Sequence, residues 1–430
     1  MVEASWQPPE GFEALDSKVE GVTVYAPAPD DAGDAQRGPR TVKCSSCGAS
    51  LAFSAGEGAL SCDYCGHVEQ VQAQHVGHGA AQHEFTNAAL SAGRQGWGIE
   101  RKTLHCESCG GDVSVASGDL AAACTFCGSN HVNLREAQAQ LRPATLIPFK
   151  IERDQLTDKV QTWLGEGWKH PDMLKKAASL ELFRGLYLPF WVFSARMDST
   201  WEAEVGYQET ERYYDSDSGS YKTRTVIKYK WESGVAVVPV QNLPVPGTEA
   251  ISARLIKRIE GYDFSGLVDY QPDFLSGWQA SLYDITLPDA WTAGRRRMRE
   301  MARKACRARI HSSHVRNFSM SADMEEETWR YTLLPVYVAA YQFRGRSWVV
   351  LVNGQNGEVA GQKPVAWWKV YGAMALLVSP GLFVGVILGL PLLLAGGVGL
   401  IFMVIGAVLT FFGATYGMSI YRHGVEMEAL

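Results

Sequence analysis

Several signals are missing from this 430-residue chain. It carries no G-x4-G-K-S/T loop, no G-x-G-x-x-G turn, no H-E-x-x-H pair and no G-x-S-x-G elbow. With no phosphate cradle, metalloprotease pair or nucleophile elbow to announce an enzyme, the chain is read as non-catalytic, with no small-molecule substrate identified. It also lacks a basic excess: 40 Lys and Arg stand against 46 Asp and Glu, a net of −6, so the surface as a whole does not attract a polyanion. The first forty residues lack a basic stretch followed by an apolar one, so no secretory leader is expected there. Between Val370 and Tyr421 there is no Asp, Glu, Lys or Arg, and 52 uncharged residues in one run exclude a wholly soluble protein. Core-forming material is ample, since 46% hydrophobic and 11% aromatic residues exclude disorder throughout.

Eight of the nine cysteines fall into two identical frames. Cys44-Ser-Ser-Cys47-Gly48 is followed, with fourteen residues between Cys47 and Cys62, by Cys62-Asp-Tyr-Cys65-Gly66. Cys106-Glu-Ser-Cys109-Gly110 and Cys124-Thr-Phe-Cys127-Gly128 repeat the unit at an offset of 62. A C-x2-C pair sets two thiolates on one tight turn, and a second pair brought alongside by a hairpin completes an S4 site, so two structural zinc ions are expected. Glycine after the second Cys of each pair allows the positive φ that such a turn needs. Four thiolates per ion leave no position for water or substrate, so the sites stabilise and do no chemistry. His67, His105 and His131 flank the frames and are read as neighbours rather than ligands, and Cys306 as a structural thiol.

The expected architecture is α+β: two small zinc ribbons, an antiparallel-sheet mixed domain and a C-terminal two-helix transmembrane hairpin. Residues 1–40 read as a disordered leader, 41–72 as the first ribbon, 73–100 as a linker holding His75, His78 and His83, and 101–135 as the second ribbon. Residues 143–365 read as a soluble α+β domain. Asp154 to Trp163 has helical periodicity, while Leu186 to Met197, Thr200 to Tyr207, Tyr221 to Trp231 and Val235 to Val240 alternate like strands. Asp215 to Ser220 reads as a polar hairpin tip or loop, and the Asn-Gly pairs within Ser347 to Gly361 as the turn of a last hairpin. Leu188-Pro-Phe-Trp-Val-Phe193 and Leu334-Pro-Val-Tyr-Val-Ala339 suggest a duplicated strand pair, each followed by a short turn and another strand. Asp289 to Ile310 reads as a long helix with Arg295, Arg296, Arg297, Arg299, Arg303, Lys304, Arg307 and Arg309 against Glu300 alone. Its apolar stripe is Met298, Met301, Ala302, Ala305 and Ala308, and its basic face is either solvated or set against anionic headgroups or an acidic partner.

Residues 366–421 are the transmembrane hairpin and 422–430 a cytoplasmic tail. A single span needs about 20 apolar residues, so the uncharged run divides into Lys369 to Leu390 and Gly397 to Tyr416, with the reversal at Pro391 to Gly396 and a kink at Pro380. Trp367, Trp368, Tyr371, Tyr416 and Tyr421 would form one interfacial belt, and Lys363, Lys369 and Arg422 place both termini in the cytoplasm, where thiolates stay reduced. Gly381, Gly385 and Gly389, with Gly413 and Gly417, allow close helix approach inside the hairpin or in a homo-oligomer. With no charge inside the spans, ion transport is not expected.

The tandem CxxCG frames, Ile147-Pro148-Phe149, the Leu188–Phe193 segment, Val352-Asn-Gly-Gln-Asn-Gly357 and the terminal hairpin together resemble a family of bacterial membrane proteins. Members often carry the label TFIIB-type zinc-ribbon or primosomal helicase-like protein. Lacking a nucleotide-binding loop, this chain is no helicase. Some relatives are encoded beside phage-shock and SPFH (flotillin-like) proteins, so the resemblance implies an inner-membrane scaffold for protein partners in membrane stress or organisation. The alternative is a membrane-tethered nucleic-acid binder. Residues 41–140 hold five basic against nine acidic residues, which disfavours phosphate contact and nucleic acid as the partner.

Overall fold

β-Branched and aromatic residues recur through most of the stretch from Arg184 to Pro246 and hold its backbone extended. The computed structural model describes residues 12–15, 24–27, 42–80, 82–84, 101–107, 110–116, 124, 126, 132–135, 141–171, 174, 183–216, 219–343, 346–396 and 399–428. Near the start, β1 (Phe12–Leu15) pairs antiparallel with β2 (Val24–Pro27), where a structureless leader is expected. Pro27, one of the prolines that suggest disorder, is the last residue of β2.

Strands β3 (Ala52–Ser54), β4 (Ala59–Ser61) and β5 (Val68–Glu69) form a three-stranded antiparallel sheet around the first cysteine frame. The remaining described strands join one 12-stranded sheet. They are β6 (His83–Glu84), β7 (Arg101–Cys106), β8 (Asp112–Ala116), β9 (Val132–Arg135), β10 (Thr145–Leu146), β11 (Arg184–Asp215), β12 (Ser220–Pro246), β13 (Val268–Asp269), β14 (Gln279–Ser281), β15 (His314–Phe343), β16 (Arg346–Asn353) and β17 (Val359–Gly361). The sheet is mixed rather than antiparallel, because β10 runs parallel to β15 and β14 parallel to β11. Both exceptions are short strands that arrive through long crossovers. Nor do residues 101–135 stand apart as a module: β8 pairs with β14, and Leu104, Cys106 and Val113 share a core with Leu186 and Phe190.

The segments expected as four strands are two. β11 is one strand of 32 residues and β12 one of 27, paired from Phe190↔Pro246 to Asp215↔Ser220. Asp198 and Ser199 interrupt the hydrophobic pattern but not the ladder, since Asp198 faces outward and strand pairing needs only extended backbone. Gly234 gives up a side chain because a Cβ there would strike the Trp201 ring. On the other edge of β11 lies β15, from Arg184↔Val338 to Gly206↔His314. Leu188 sits directly opposite Leu334, so the two Leu-Pro segments are register partners. The short turn expected after the first of them does not occur, because β11 runs on to Asp215. At about 3.3 Å per residue, β11 spans roughly 100 Å.

In its first part β11 is buried on both faces, with Tyr187, Trp191 and Phe193 on one side and Leu186, Leu188, Phe190 and Val192 on the other. Farther out only one face is covered, by α3 (Leu287–Ala308), which follows α1 (Arg153–Gly165) and α2 (Ala253–Lys257). α3 buries Ala290, Trp291, Gly294, Met298, Ala302 and Cys306 at helical spacing; Met301 and Ala308, expected on the same stripe, are exposed. Cys306 packs with Trp201, Ala203 and Val205, while Arg297 pairs with Glu260 at 2.6 Å. The last hairpin turns on Asn353, whose buried Oδ1 accepts from the backbone N–H of Gln355 at 2.8 Å and of Asn356 at 3.2 Å.

Two long apolar helices close the chain, α4 (Trp367–Leu394) and α5 (Gly399–Glu428). Both are long and apolar enough to cross a bilayer, and unlike core helices they leave most of their surface uncovered, including Leu376, Phe411 and Phe412. Pro391 to Gly396, expected to be the reversal, is helical, and α5 continues through the expected tail to Glu428. A π-helical stretch over Phe383–Leu388 precedes Pro391 and widens the backbone just where that ring and its missing N–H disturb the ladder. The glycines face inside the pair: a Cβ on Gly406 would strike Gly385, one on Gly381 would strike Thr410, and one on Gly413 would strike Leu377. Trp367 packs on Tyr421 at 5.2 Å and Tyr371 at 5.9 Å, placing three of the five belt aromatics together.

Candidate metal centre

The first frame is assembled from two copies of one loop. In each, the first Cys carbonyl accepts from the glycine four residues on, Gly48 N–H to Cys44 O and Gly66 N–H to Cys62 O, both at 2.9 Å. Those glycines have φ of 73° and 69°, the left-handed conformation expected from the sequence. The β3–β4 hairpin then brings the loops face to face, and the four Sγ atoms of Cys44, Cys47, Cys62 and Cys65 all lie within 4.8 Å of one another. Cys44 and Cys65 approach to 3.5 Å and Cys47 and Cys62 to 3.6 Å. Tetrahedral thiolates at about 2.3 Å from an ion stand roughly 3.8 Å apart, so the cluster could hold a metal ion.

Electrostatics favour a cation there. The backbone N–H groups of Cys65 and Tyr64 pull the Cys62 thiol down to about 7. The His67 N–H acts in the same sense on Cys65, yet the thiols of Cys44 and Cys47 outweigh it and push Cys65 up to about 12. Cys65 therefore resists ionising beside its neighbours, and a positive ion would relieve that. Cys44 and Cys62 are buried and Cys47 and Cys65 exposed, so the centre sits at the surface with one side sealed. His67 is turned elsewhere, its Nε2 3.0 Å from Ser45 Oγ, and His105 Nδ1 lies 2.6 Å from Asp112 Oδ1.

Of the second frame, Cys106 and Cys124 are buried, while Cys109, Cys127 and His131 lie outside the described residues. Its first loop repeats the geometry of the others, with Gly110 at φ 74° and its N–H 2.8 Å from Cys106 O. One four-cysteine cluster is thus assembled among the described residues.

The first frame is fixed to the large sheet. Trp278 Nε1 donates to Phe53 O at 2.9 Å, Ser276 Oγ donates to Leu51 O at 2.6 Å, and Phe53 meets Phe274 edge-on at 5.0 Å. A cleft of about 740 Å³ remains at this seam, with Ser54, Asp63, Glu152, Arg153 and Trp278 on its walls. The described part of the linker is also bound: His75 bridges Val268, β6 pairs with β15, and the His83 ring lies 5.1 Å from Trp329. Two buried cations escaped sequence reasoning, Lys363 and Arg330, because nothing local distinguishes them from surface residues.

No family model matches the chain, and no solved structure matches it. It is similar to the uncharacterized protein YdjG of Bacillus subtilis (strain 168). The two are 25% identical over 333 residues, which cover 76% of this chain and 91% of YdjG.

Proposed function

We propose that the chain is a membrane-anchored, zinc-stabilised scaffold that presents its long β-ribbon to protein partners on the cytoplasmic side and acts without catalysis. The reading rests on the outer end of that ribbon. Beyond Gly206 only β11 and β12 remain paired, and Tyr213, Tyr214 and Tyr221 stand exposed on them, with Trp231 exposed just inside that point, opposite Glu204. Arg212 lies 4.8 Å from the Tyr221 ring and Arg224 5.2 Å from the Tyr213 ring. Tyr, Trp and Arg are the side chains that dominate binding energy at protein interfaces.

The entry to the apolar helices is tied to the segment that follows α1 and to the end of α5. Ala366 N–H donates to Lys169 O at 2.7 Å, Lys369 Nζ to His170 O at 3.1 Å, and Val365 N–H to Glu428 Oε1 at 2.9 Å. Lys169, Lys363 and Lys369 gather at this end, and in a hairpin crossing the inner membrane twice, positive charge marks the cytoplasmic side. A reducing compartment suits thiolate ligands, and the donor set suits zinc, with the second frame as a second site. The family resemblance adds phage-shock or SPFH-type proteins as partners.

The arginine face of α3 favours a second reading, a tethered nucleic-acid binder. Arg295, Arg296, Arg299 and Arg303 line a groove of about 500 Å³. Affinity capture of the full chain from native membranes, with and without nuclease, separates the two. The scaffold reading expects nuclease-resistant partners that Tyr214→Ser with Tyr221→Ser releases, and about two zinc ions per chain that fall to one in Cys47→Ser. Loss of the captured proteins on nuclease treatment would overturn it in favour of nucleic acid.

A further inference from the structure

The linker between the cysteine frames crosses the sheet where β11 is irregular on both edges. β11 shifts register against β12 between Phe193 and Ala195, and against β15 between Ser194 and Arg196. Each partner strand absorbs its shift with a non-glycine residue in the left-handed region, Asn242 and Glu326, both at φ 55°. Paired bulges and such strain gather where a sheet is opened for a ligand. A cavity of about 490 Å³ opens here, lined by His78 and Gln82 of the linker and by Ser194, Arg196, Asn242 and Glu326. Its volume is that of a small-molecule site.

Behind the Asn242 wall lies Arg330, fully buried. Its Nη1 donates to Ala80 O at 3.3 Å and its Nη2 to Asn242 Oδ1, while Nε has no acceptor. Among the described residues no carboxylate pairs with it. Burial lowers its pKa to about 10, so it keeps its charge at neutral pH. Removing a guanidinium from water without a counter-ion is costly, and a stable fold gains nothing from it. The arginine also orients the cavity wall. With Oδ1 held by Nη2, the Asn242 amide presents Nδ2, 3.1 Å from His78 Nδ1. At the rim, Arg196 already bonds Asp198 Oδ1 at 3.2 Å and Glu326 is exposed, so solvent screens both.

We propose that this cavity binds a small soluble anion bearing a carboxylate or phosphate group, received by the Asn242 amide and His78, with Arg330 as its buried counter-charge. Because His78, Ala80 and Gln82 belong to the linker, an occupied site would hold the two cysteine frames against the sheet.

The test is thermal unfolding of the full-length protein in mild detergent, titrated with acetate, inorganic phosphate or glycerol 3-phosphate against chloride at one pH and ionic strength. At least one oxyanion is expected to raise the midpoint saturably by several degrees over chloride. Arg330→Met should lose that shift while matching or exceeding the parent's stability in chloride. Asn242→Gly relaxes the left-handed strain, so it folds, and should lose most of the shift. The proposal fails if no probe exceeds chloride, or if Arg330→Met keeps the shift. It fails equally if Arg330→Met cannot fold while Asn242→Gly responds in full, since the arginine would then only tie down the linker. A parallel titration with phosphatidylglycerol vesicles separates sources, and a shift seen with lipid but with no free anion would overturn the soluble ligand.

Discussion

Lys363 is almost fully buried where the sheet meets the apolar helices. Its Nζ donates to the Trp163 carbonyl and, at 3.3 Å, to the Glu166 carbonyl, and lies 4.0 Å from the Trp163 ring centroid. These carbonyls end α1, where a cation is favoured. Burial nonetheless lowers the ammonium to about 8 from an ordinary value of 10.5, Glu166 opposing the shift. Between those two pH values the unfolded chain binds a proton that the folded chain lacks, so stability should rise with pH there. Thermal midpoints of the parent and Lys363→Met from pH 7.5 to 9.5 check this; the parent should gain on the variant as pH rises, and a parent that loses ground refutes it. At this scale the cysteines were legible because a metal loop is written in four or five consecutive residues. Lys363 and Arg330 were not: their burial is made by Trp163 and Ala80, 200 and 250 positions away.

Elements with local causes could be read from sequence and those with distant causes could not. The last hairpin follows from Asn353 to Gly357, and α3 from its own apolar spacing, although Met301 and Ala308 are exposed. Strand continuity was hidden, since partner strands decide whether a polar pair such as Asp198-Ser199 breaks a strand. The reversal between α4 and α5 was misplaced because proline marks a turn only when nothing compensates, and here a π-helical stretch does. Helix contact gives the glycines their value. Gly406→Leu, driven against Gly385, should destabilise the helix pair by about 1–3 kcal/mol, whereas Gly372→Leu, with nothing within 4 Å, should be near neutral. Unfolding midpoints in detergent distinguish them, and equal effects would mean that the glycines do not pack the pair.

Across the whole molecule, distant parts of the chain before the apolar helices are joined by one long ladder. β11 and β15 pair from Arg184↔Val338 to Gly206↔His314, partners separated by 108 to 154 positions in the chain. The β11–β12 ribbon closes over a short turn, so it can form as soon as it is made, but its other edge is then unpaired. Contacts this distant slow folding, and an open apolar edge invites pairing with other chains. During synthesis at about 5–20 residues per second, the central strand waits on the order of 5 to 30 s for its second neighbour. Refolding of the detergent-solubilised chain should therefore be slow, with yield falling as protein concentration rises. A fast, concentration-independent recovery followed by tryptophan fluorescence would contradict this. The length on which the proposed reach of the ribbon depends also makes its assembly the step that a chaperone would most help.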